Sequence, residues 1–409
     1  MIRRWHRLLL LAALGMILSA CMDASHVPSV HPSSSPDAPL PVAASVQPSP
    51  PVHNRRLVFT LLADNRLLVL RTTDGSVVAE RRLAPDPSSF AVDSTPGHYI
   101  ARSTDGARVF VLLPPQHGDG TRVVVVDIAT ITVQGTYQLA ESEGAFRGIV
   151  VGSKTGNLYL FGSRVTGDTA RSSATRTPPP LHPTAPADAV VAVLDANNGA
   201  MRAKWVARKA NGYDWRVYQG AVSDDERALY LSYHGPDTSG IDRFDIMDHG
   251  LLRCREGLRP DLGCLPGHGG FTLYGDGLLV ATGSGIILNI DTSGTIRSVF
   301  DTGLTGHLME FTVDAKADRL SAVGACGYRG GFSAVGLRQG GTLDLPIPPL
   351  IVKPALSDPC GARVALGPDN LLVAAKDAGT LFFLDRTTGQ ILRSADIPGG
   401  IDDILVLNE

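Results

Sequence analysis

The chain contains 409 residues, of which 44% are hydrophobic and 19% are charged, and its formal net charge is −3 at pH 7. That length suits one large domain or two ordinary ones, and the 44 glycines and 28 prolines indicate many turns, as in an all-β protein. The small net charge provides no broad cationic field, so the composition argues against nucleic acid as a partner.

The N-terminal segment has the organisation of an export signal. Arg3, Arg4 and Arg7 form a basic start, and residues 8–20 form an apolar stretch of thirteen residues. Because a membrane-spanning helix needs about 20 residues, this stretch is too short to cross a bilayer comfortably. We therefore predict a signal peptide over residues 1–20.

The sequence LSAC at residues 18–21 resembles the bacterial lipobox. The resemblance implies that Cys21 is lipidated and becomes the first mature residue, so that the protein sits on a membrane without crossing it. The alternatives are a plain secretory peptide cut near the same place and an uncleaved anchor. Because Asp23 does not directly follow the cysteine, the usual sorting rule predicts the outer membrane, facing the periplasm, in a Gram-negative cell.

Residues 21–54 combine the cysteine with a segment rich in Pro, Ser, Ala and Val that has almost no charge and no periodicity. Such a composition cannot form a core. We predict a disordered tether that reaches roughly 100 Å if it is extended at about 3.1 Å per residue. The tether would hold the following domain clear of the lipid surface.

A hairpin pattern then repeats along the chain. Each copy is an apolar strand, a short polar turn that usually contains Gly, and a second strand. The seven copies are LLVLRTTDGSVVAE from residue 67, VVVVDIATITVQGTYQL from 123, VVAVLDANNGAMRAKW from 190, IDRFDIMDHGLLRC from 241, IILNIDTSGTIRSVF from 286, SAVGLRQGGTLDL from 333 and LFFLDRTTGQILRS from 381. The first turn residues fall at 71, 127, 195, 245, 291, 338 and 385.

A second strand pair precedes most copies, so each unit contains four strands, named A to D from the innermost to the outermost. A period near 47 residues with four strands predicts an all-β, seven-bladed β-propeller of antiparallel blades over residues 55–409. The long step before the third copy is explained by a Ser/Thr/Pro-rich loop at residues 163–188. A pair of β-sandwiches is the alternative architecture.

The two ends of the chain are predicted to share one blade. The first copy has strand B (residues 55–64), C and D but no strand A before them, whereas the last copy is followed by the unused strand IDDILVLNE at 401–409. If this C-terminal strand supplies strand A of blade one, the ring closes without an open sheet edge.

This repeat resembles the YVTN-type and quinoprotein-like β-propellers, whose WD40-like units run strand, spDG, strand, then viDtatg and strand. The resemblance implies the fold and no particular function, because propellers host enzymes, binders and scaffolds. LDANNGAMRAKW, with Asp195, Gly199 and Trp205, is similar to the tryptophan-docking motif of the quinoproteins. The Trp follows the Gly by six positions rather than four, and no adjacent cysteine pair is present, so we predict no quinone cofactor and assign Trp205 to blade packing.

Four cysteines remain beyond the lipidation site. An exported protein meets an oxidising environment, so we predict the disulfides Cys254–Cys264 and Cys326–Cys360. A metal site of Cys254, Cys264 and His268 is an alternative, but the spacing matches no standard zinc pattern. The sequence predicts neither a metal nor another cofactor.

Propeller topology brings the D→A and B→C connections to one face, around the mouth of the central channel. The candidate rim residues at A-strand starts and in B→C loops are His98, His117, Arg147, Arg216, His234, His268, His307, Tyr328, Arg329 and Asp403. Histidine can ligate metal or move protons, and arginine can hold an anion. The alternative is that these are ordinary polar side chains in a wet channel mouth.

The sequence therefore predicts a membrane-anchored, exported lipoprotein of the cell envelope, monomeric as a propeller. Its propeller is expected to be a binding or scaffold module for a protein or an envelope-polymer partner, not an enzyme. The alternative is a lactonase-like hydrolase, or a propeller that binds a small ligand or metal through the His/Arg rim. Nucleophile elbows, phosphate-binding glycine loops and HExxH helices do not occur in the sequence.

Overall fold

The structure is a computed structural model, and it describes most of the predicted propeller. The described residues are 56–84, 98–113, 120–140, 143–165, 187–207, 216–234, 239–247, 250–255, 270–281, 286–291, 295–302, 305–314, 319–329, 331–336, 351–353, 363–369, 371–376 and 379–407. The signal peptide, the tether and most of the 163–188 loop lie outside these residues. Cys21, His117, Cys264, His268 and Cys360 also lie outside them.

The described chain forms seven four-stranded antiparallel sheets, or blades, from 28 strands. From the innermost strand outwards, blade 1 is β28 (Ile401–Val406), β1 (Leu57–Leu62), β2 (Arg66–Arg71) and β3 (Val77–Arg82). Blade 2 is β4 (Ile100–Arg102), β5 (Arg108–Leu113), β6 (Arg122–Asp127) and β7 (Thr132–Gln138). Blade 3 is β8 (Ala145–Val151), β9 (Leu158–Val165), β10 (Ala187–Leu194) and β11 (Met201–Ala207).

Blades 4 to 7 follow the same order. Blade 4 is β12 (Arg216–Val222), β13 (Ala228–His234), β14 (Ser239–Met247) and β15 (Gly250–Arg255). Blade 5 is β16 (Phe271–Tyr274), β17 (Gly277–Ala281), β18 (Ile286–Asp291) and β19 (Ile296–Asp301). Blade 6 is β20 (Thr305–Asp314), β21 (Arg319–Arg329), β22 (Gly331–Gly336) and β23 (Ile351–Lys353), and blade 7 is β24 (Arg363–Leu366), β25 (Leu371–Lys376), β26 (Thr380–Asp385) and β27 (Ile391–Asp396).

Blade 2 shows why these segments form strands. β5 and β6 are runs of branched and aromatic residues that are almost entirely buried, because both faces of the sheet pack against neighbouring blades. The outermost β7 is mostly exposed. The core therefore lies between the blades, and the described ranges contain no helix that is long and apolar enough to cross a bilayer.

The repeated phrase is a C–D hairpin with an aspartate-capped turn. Asp127 accepts hydrogen bonds from the backbone N–H and the hydroxyl of Thr130, both at 2.8 Å. Asp385 accepts the same pair from Thr388, at 2.7 and 2.9 Å, and Gly389 closes this turn with φ of 67°. The Asp and Gly of the repeat are thus explained by turn chemistry.

The pairing of the last strand is consistent with the predicted closure of the ring. β28 pairs antiparallel with β1, so that the end of the chain supplies the innermost strand of blade 1. The seven innermost strands contact one another in the order β28, β4, β8, β12, β16, β20, β24 and back to β28. Blade 1 therefore combines the last described strand of the chain with the first three.

Two boundaries differ from the sequence prediction. In blade 6 the outermost strand is β23, not residues 342–345, because β22 pairs with residues 351–353. The turn RQGG lacks the aspartate that caps the other turns, so the pattern gave no anchor for this strand. In blade 3, β9 and β10 extend into both ends of the predicted 163–188 loop and pair Ala187 with Val165.

Candidate ligand site at the channel mouth

The structure places the described rim residues near the ends of inner strands. His98 lies two residues before β4, Arg216 begins β12, and Arg147, His307 and Asp403 are the third residues of β8, β20 and β28. His234 ends β13, and Tyr328 and Arg329 end β21. Because neighbouring strands alternate in direction, these positions lie at the same end of the ring.

Asp403 joins blade 1 to blade 2. Its carboxylate is only 1% exposed and accepts hydrogen bonds from the backbone N–H of Tyr99 at 2.6 Å and of Ile100 at 2.9 Å. It also accepts one from Ile404 at 2.9 Å. A buried carboxylate requires such donors, and here backbone amides supply them. Asp403 is thus engaged in holding two inner strands together.

Gln219 and Arg363 join other blades in the same manner. The Gln219 side chain of β12 donates to the carbonyl and accepts from the N–H of Phe271 in β16, both at 3.0 Å. Nε of Arg363 in β24 donates to the carbonyl of Asp402 in β28 at 2.9 Å and lies 3.8 Å from Asp403. We call these three contacts, from Asp403, Gln219 and Arg363 to the next blade, the mouth clamps.

Asp402 is the most chemically distinctive residue of the mouth. Burial raises the pKa of this half-buried carboxyl to about 7, the negative charges of Asp403 and Asp64 raise it further, and the positive charge of Arg363 opposes them. Within the described part of the chain its Oδ2 is buried without a hydrogen-bond partner. A carboxyl group with this pKa can gain or release a proton near neutral pH.

A histidine and two arginines lie around this carboxyl pair. His98 is 41% exposed, and its Nδ1 lies 4.0 Å from Asp403. Burial raises the pKa of Tyr99, whereas the charges of Arg147 and Arg363 lower it, which places both arginines near the phenol. The mouth therefore combines buried structural groups with an accessible imidazole at its edge.

A cavity of about 1130 Å³ runs from this mouth through the ring. His98 and Gln219 line its start, and the apolar Ile100 and Ile404 line its wall. The cavity also extends outwards between blades 5 and 6 to Asn289. Its volume is sufficient for a small ligand or for a short segment of a polymer.

The other predicted sites are only partly described. Trp205 on β11 packs on the core between blades 3 and 4, with its ring 6.4 Å from that of Tyr159, as expected for blade packing. Cys254 lies in β15 and Cys326 in β21, and both disulfides remain predictions because their partner cysteines lie outside the described residues. No group of three or more His, Cys, Asp or Glu residues is arranged to hold a metal ion among the residues described.

Sequence reasoning missed Gln219, Arg363 and Asp402. Each is a polar residue in a segment that otherwise follows the apolar pattern of an inner strand, as in VYQGAV and IDDILV. That interruption was a usable signal, because a polar residue in a buried strand needs a partner. The hydrogen-bond partner of such a residue cannot be predicted from the local sequence, because it belongs to a different blade.

Comparison with known proteins supports the fold. No protein-family model matches the chain, and no curated protein matches its sequence. Solved structures that resemble it include β-propeller proteins. The periplasmic gluconolactonase PpgL of Pseudomonas aeruginosa is 14% identical with a TM-score of 0.57, over 86% of this chain and 98% of that protein.

Two further structures give the same result. A candidate 6-phosphogluconolactonase of Bacteroides uniformis is 14% identical with a TM-score of 0.56, over 86% of this chain and 99% of that one. The dihydro-heme d1 dehydrogenase NirN is 14% identical with a TM-score of 0.52, over 90% of this chain and 79% of that one. At such low identity the likeness shows the propeller fold alone.

Proposed function

We propose that this protein is an exported lipoprotein, anchored through Cys21, whose propeller is a binding or scaffold module for a protein or envelope-polymer partner. The observation that carries the proposal is the set of mouth clamps. Polar side chains at the mouth are bonded to the backbone of the next blade, so they stabilise the ring rather than form a free catalytic group.

A clamped ring is a suitable platform for recognition. The clamped inner strands hold the described mouth residues in fixed positions, and a preorganised surface loses less entropy when it binds. His98, at the edge of the mouth, and the half-buried Arg147 are the proposed contacts within the described rim. The other predicted rim residues are proposed to contribute to the same surface.

Export and attachment to the envelope are part of the same proposal. The N-terminal basic and apolar segments and the LSAC sequence support them, and the name of the structurally similar gluconolactonase includes a periplasmic location. The tether of residues 21–54 would let the propeller reach partners away from the lipid surface. The propeller itself is proposed to act as a monomer.

The proposal is tested by photo-crosslinking in native envelopes. A photo-reactive amino acid replaces residue 98 at the mouth or, as the control, residue 390 in the C→D turn of blade 7 on the opposite face. We expect a reproducible partner from position 98 and none from position 390, with mass spectrometry and sugar analysis separating a protein from a polymer. Equal capture from both positions, or none from position 98, would contradict the proposal.

Asp402 favours a second candidate function, a hydrolase that acts on lactones or esters. Its raised pKa and its buried oxygen without a described partner are properties of a general acid or base. Two of the structurally similar proteins carry lactonase names. In a screen of lactones and esters, turnover that is lost in Asp402→Asn but retained in the exposed control Asp369→Asn would establish this candidate, and no turnover by the parent protein would exclude it for the compounds tested.

A further inference from the structure

The C–D hairpins share a β-bulge that identifies equivalent residues in different blades. The register shifts immediately after Val69 in blade 1, Val125 in blade 2, Val193 in blade 3 and Phe383 in blade 7. All four residues are apolar and at most 4% exposed. This position therefore seals the seam between neighbouring blades by apolar packing.

Blades 4 and 5 depart from this rule. In blade 4 the bulge follows Asp245, whose carboxylate lies 3.5 Å from the guanidinium of Arg243. In blade 5 the bulge follows the neutral Asn289, which pairs across the hairpin with Ser298. Asn289 is half-buried, Ser298 is 4% exposed, and both line the cavity that enters from the channel. The position that is apolar in blades 1, 2, 3 and 7 is polar here and borders a cavity. We call this space the blade 5–6 cleft, lined by Thr272, Tyr274, Asn289, Ser298, Phe300 and Phe311.

The charged side chains at the end of the cleft away from the channel mouth are paired with one another. The guanidinium of Arg297 forms two hydrogen bonds with the carboxylate of Asp276, one of them at 2.8 Å, and its Nε lies 3.8 Å from Asp291. The hydrogen bond from Arg297 also lowers the pKa of Asp276, which keeps the pair ionised. Because the guanidinium is held by carboxylates, it offers little attraction to an anionic ligand.

The interior of the cleft combines neutral polar groups with aromatic rings. The Asn289 amide has two donors and an acceptor, and the hydroxyls of Ser298 and Thr272 can donate or accept. Phe300 and Phe311 belong to the core between the two blades, and Tyr274 packs against it. Sugar rings present hydroxyl groups at their edges and apolar C–H faces, so their chemistry matches both features.

We propose that the blade 5–6 cleft binds sugar residues of a neutral glycan chain. The inference rests on the proposed binding function and narrows its partner to the carbohydrate part of an envelope polymer. The cavity joins the cleft to the channel mouth, so a chain can extend from one to the other. The half-buried Asn289 would contact the sugar hydroxyls, and the half-buried ring of Tyr274 would contact the apolar face of the sugar.

The test uses the complete mature chain and a variant that has, at the bulge position of blade 5, the apolar residue found in blades 1 to 3. Asn289→Val introduces the residue that blades 1 to 3 have at this position, and Gln390→Val is the matched control on an exposed turn. Binding of the β-1,4-linked hexamers of N-acetylglucosamine and of glucose is measured by titration calorimetry. We expect the parent and the control to bind at least one hexamer, and Asn289→Val to bind at least tenfold more weakly with an equal or higher Tm.

The outcomes separate the cleft from the wider function. Hexamer binding that is unchanged in Asn289→Val overturns the cleft assignment and leaves the binding function standing. Absence of hexamer binding overturns it as well, and capture of an envelope partner through position 98 then shows that the proposed function survives. If neither a hexamer nor an envelope partner binds, both proposals fail together.

Discussion

Polar residues have different roles at the seam around β28 and at the seam between blades 5 and 6. At the first seam Asp403 and Arg363 are almost fully buried and bonded to the neighbouring strand. At the second, Asn289 and Ser298 face a cavity. A polar residue in a propeller blade can thus fasten the ring or furnish a binding site, and the distinction depends on whether the next blade lies within hydrogen-bonding reach.

The difference follows from what each seam must do. The seam around β28 joins the two ends of the chain, so the ring has no covalent connection there to resist opening. Charged groups bonded to backbone amides compensate for this because such hydrogen bonds are stronger than neutral ones. Blades 5 and 6 follow one another in the chain, so their seam can open without opening the ring.

The largest expected effect is the removal of residues 401–409. Truncation deletes β28 and exposes the edge of β1, and it removes Ile401, Ile404 and Val406 from the core shared by blades 7 and 1. We expect loss of cooperative unfolding in circular dichroism and exposure of apolar surface to a hydrophobic dye. A synthetic peptide of residues 401–409 should restore the transition, and a truncated chain that still unfolds cooperatively would refute the closure.

A smaller but substantial effect is expected for Asp403→Ala. The substitution leaves the buried N–H groups of Tyr99 and Ile100 without their acceptor, so we expect the free energy of unfolding to fall by about 3 kcal/mol. Asp403→Asn retains one acceptor oxygen and should lose less than half as much. Urea titrations of the three proteins provide the comparison, and equal stability of the parent and Asp403→Ala would show that this clamp is not needed.

Asp402 should make stability depend on pH at the clamped seam. Its pKa is raised from 3.8 to about 7 in the folded protein, so the folded state holds a proton that the unfolded state has lost between these values. The free energy of unfolding should therefore decline as the pH rises from about 4 to 7. Asp402→Asn should remove this decline and be more stable than the parent at pH 8 by about 2 kcal/mol.

The control for this effect is Asp369→Asn, which changes an exposed carboxyl elsewhere in the ring. Urea titrations at pH 4.5, 6 and 8 should give parallel curves for this variant and the parent. A parent protein whose stability rises between pH 4.5 and 8, with Asp402→Asn following the same curve, would contradict the raised pKa.

The smallest expected effect is at the open seam. Asn289→Val replaces a half-buried amide by the residue that closes the corresponding seams, so we expect an increase in stability of about 1 kcal/mol. Val69→Asn is the reciprocal change in a closed seam and should destabilise by about 2 kcal/mol or more, because it buries an amide among apolar residues. Similar losses for both variants would mean that the two seams do not differ.

Much of the fold could be predicted from the sequence because the repeat is local. Aspartate or glycine recurs in the turns, as at Asp385 and Gly389, and the recurrence indicates the hairpins and the number of blades. The strand predicted at 401–409 follows a complete last blade, so it is expected to pair with the first blade, which lacks strand A. The strand predicted at residues 342–345 is wrong, because the turn before it has no aspartate and the later segment at 351–353 pairs with β22.

The site could be predicted only in outline. Topology brought Asp403 to the mouth, but its bonds to Tyr99 join residues that are 304 positions apart, and no local pattern encodes such a contact. Asp402 owes its raised pKa to burial beside other charges, which is likewise a property of the assembled ring. Asn289 interrupts an apolar strand in the sequence. Its equivalence to Val69 and Phe383 is established only by the position of the β-bulge in the structure.

The most direct test of the account is hydrogen exchange of the mature protein with and without a bound neutral hexamer, read by mass spectrometry. We expect slower exchange on binding in peptides that contain β16, β18 and β19, with the amides of Tyr99 and Ile100 equally protected in both states. Protection confined to peptides of β4, β24 and β28 would contradict it, because the ligand would then lie at the clamped seam and not in the open one.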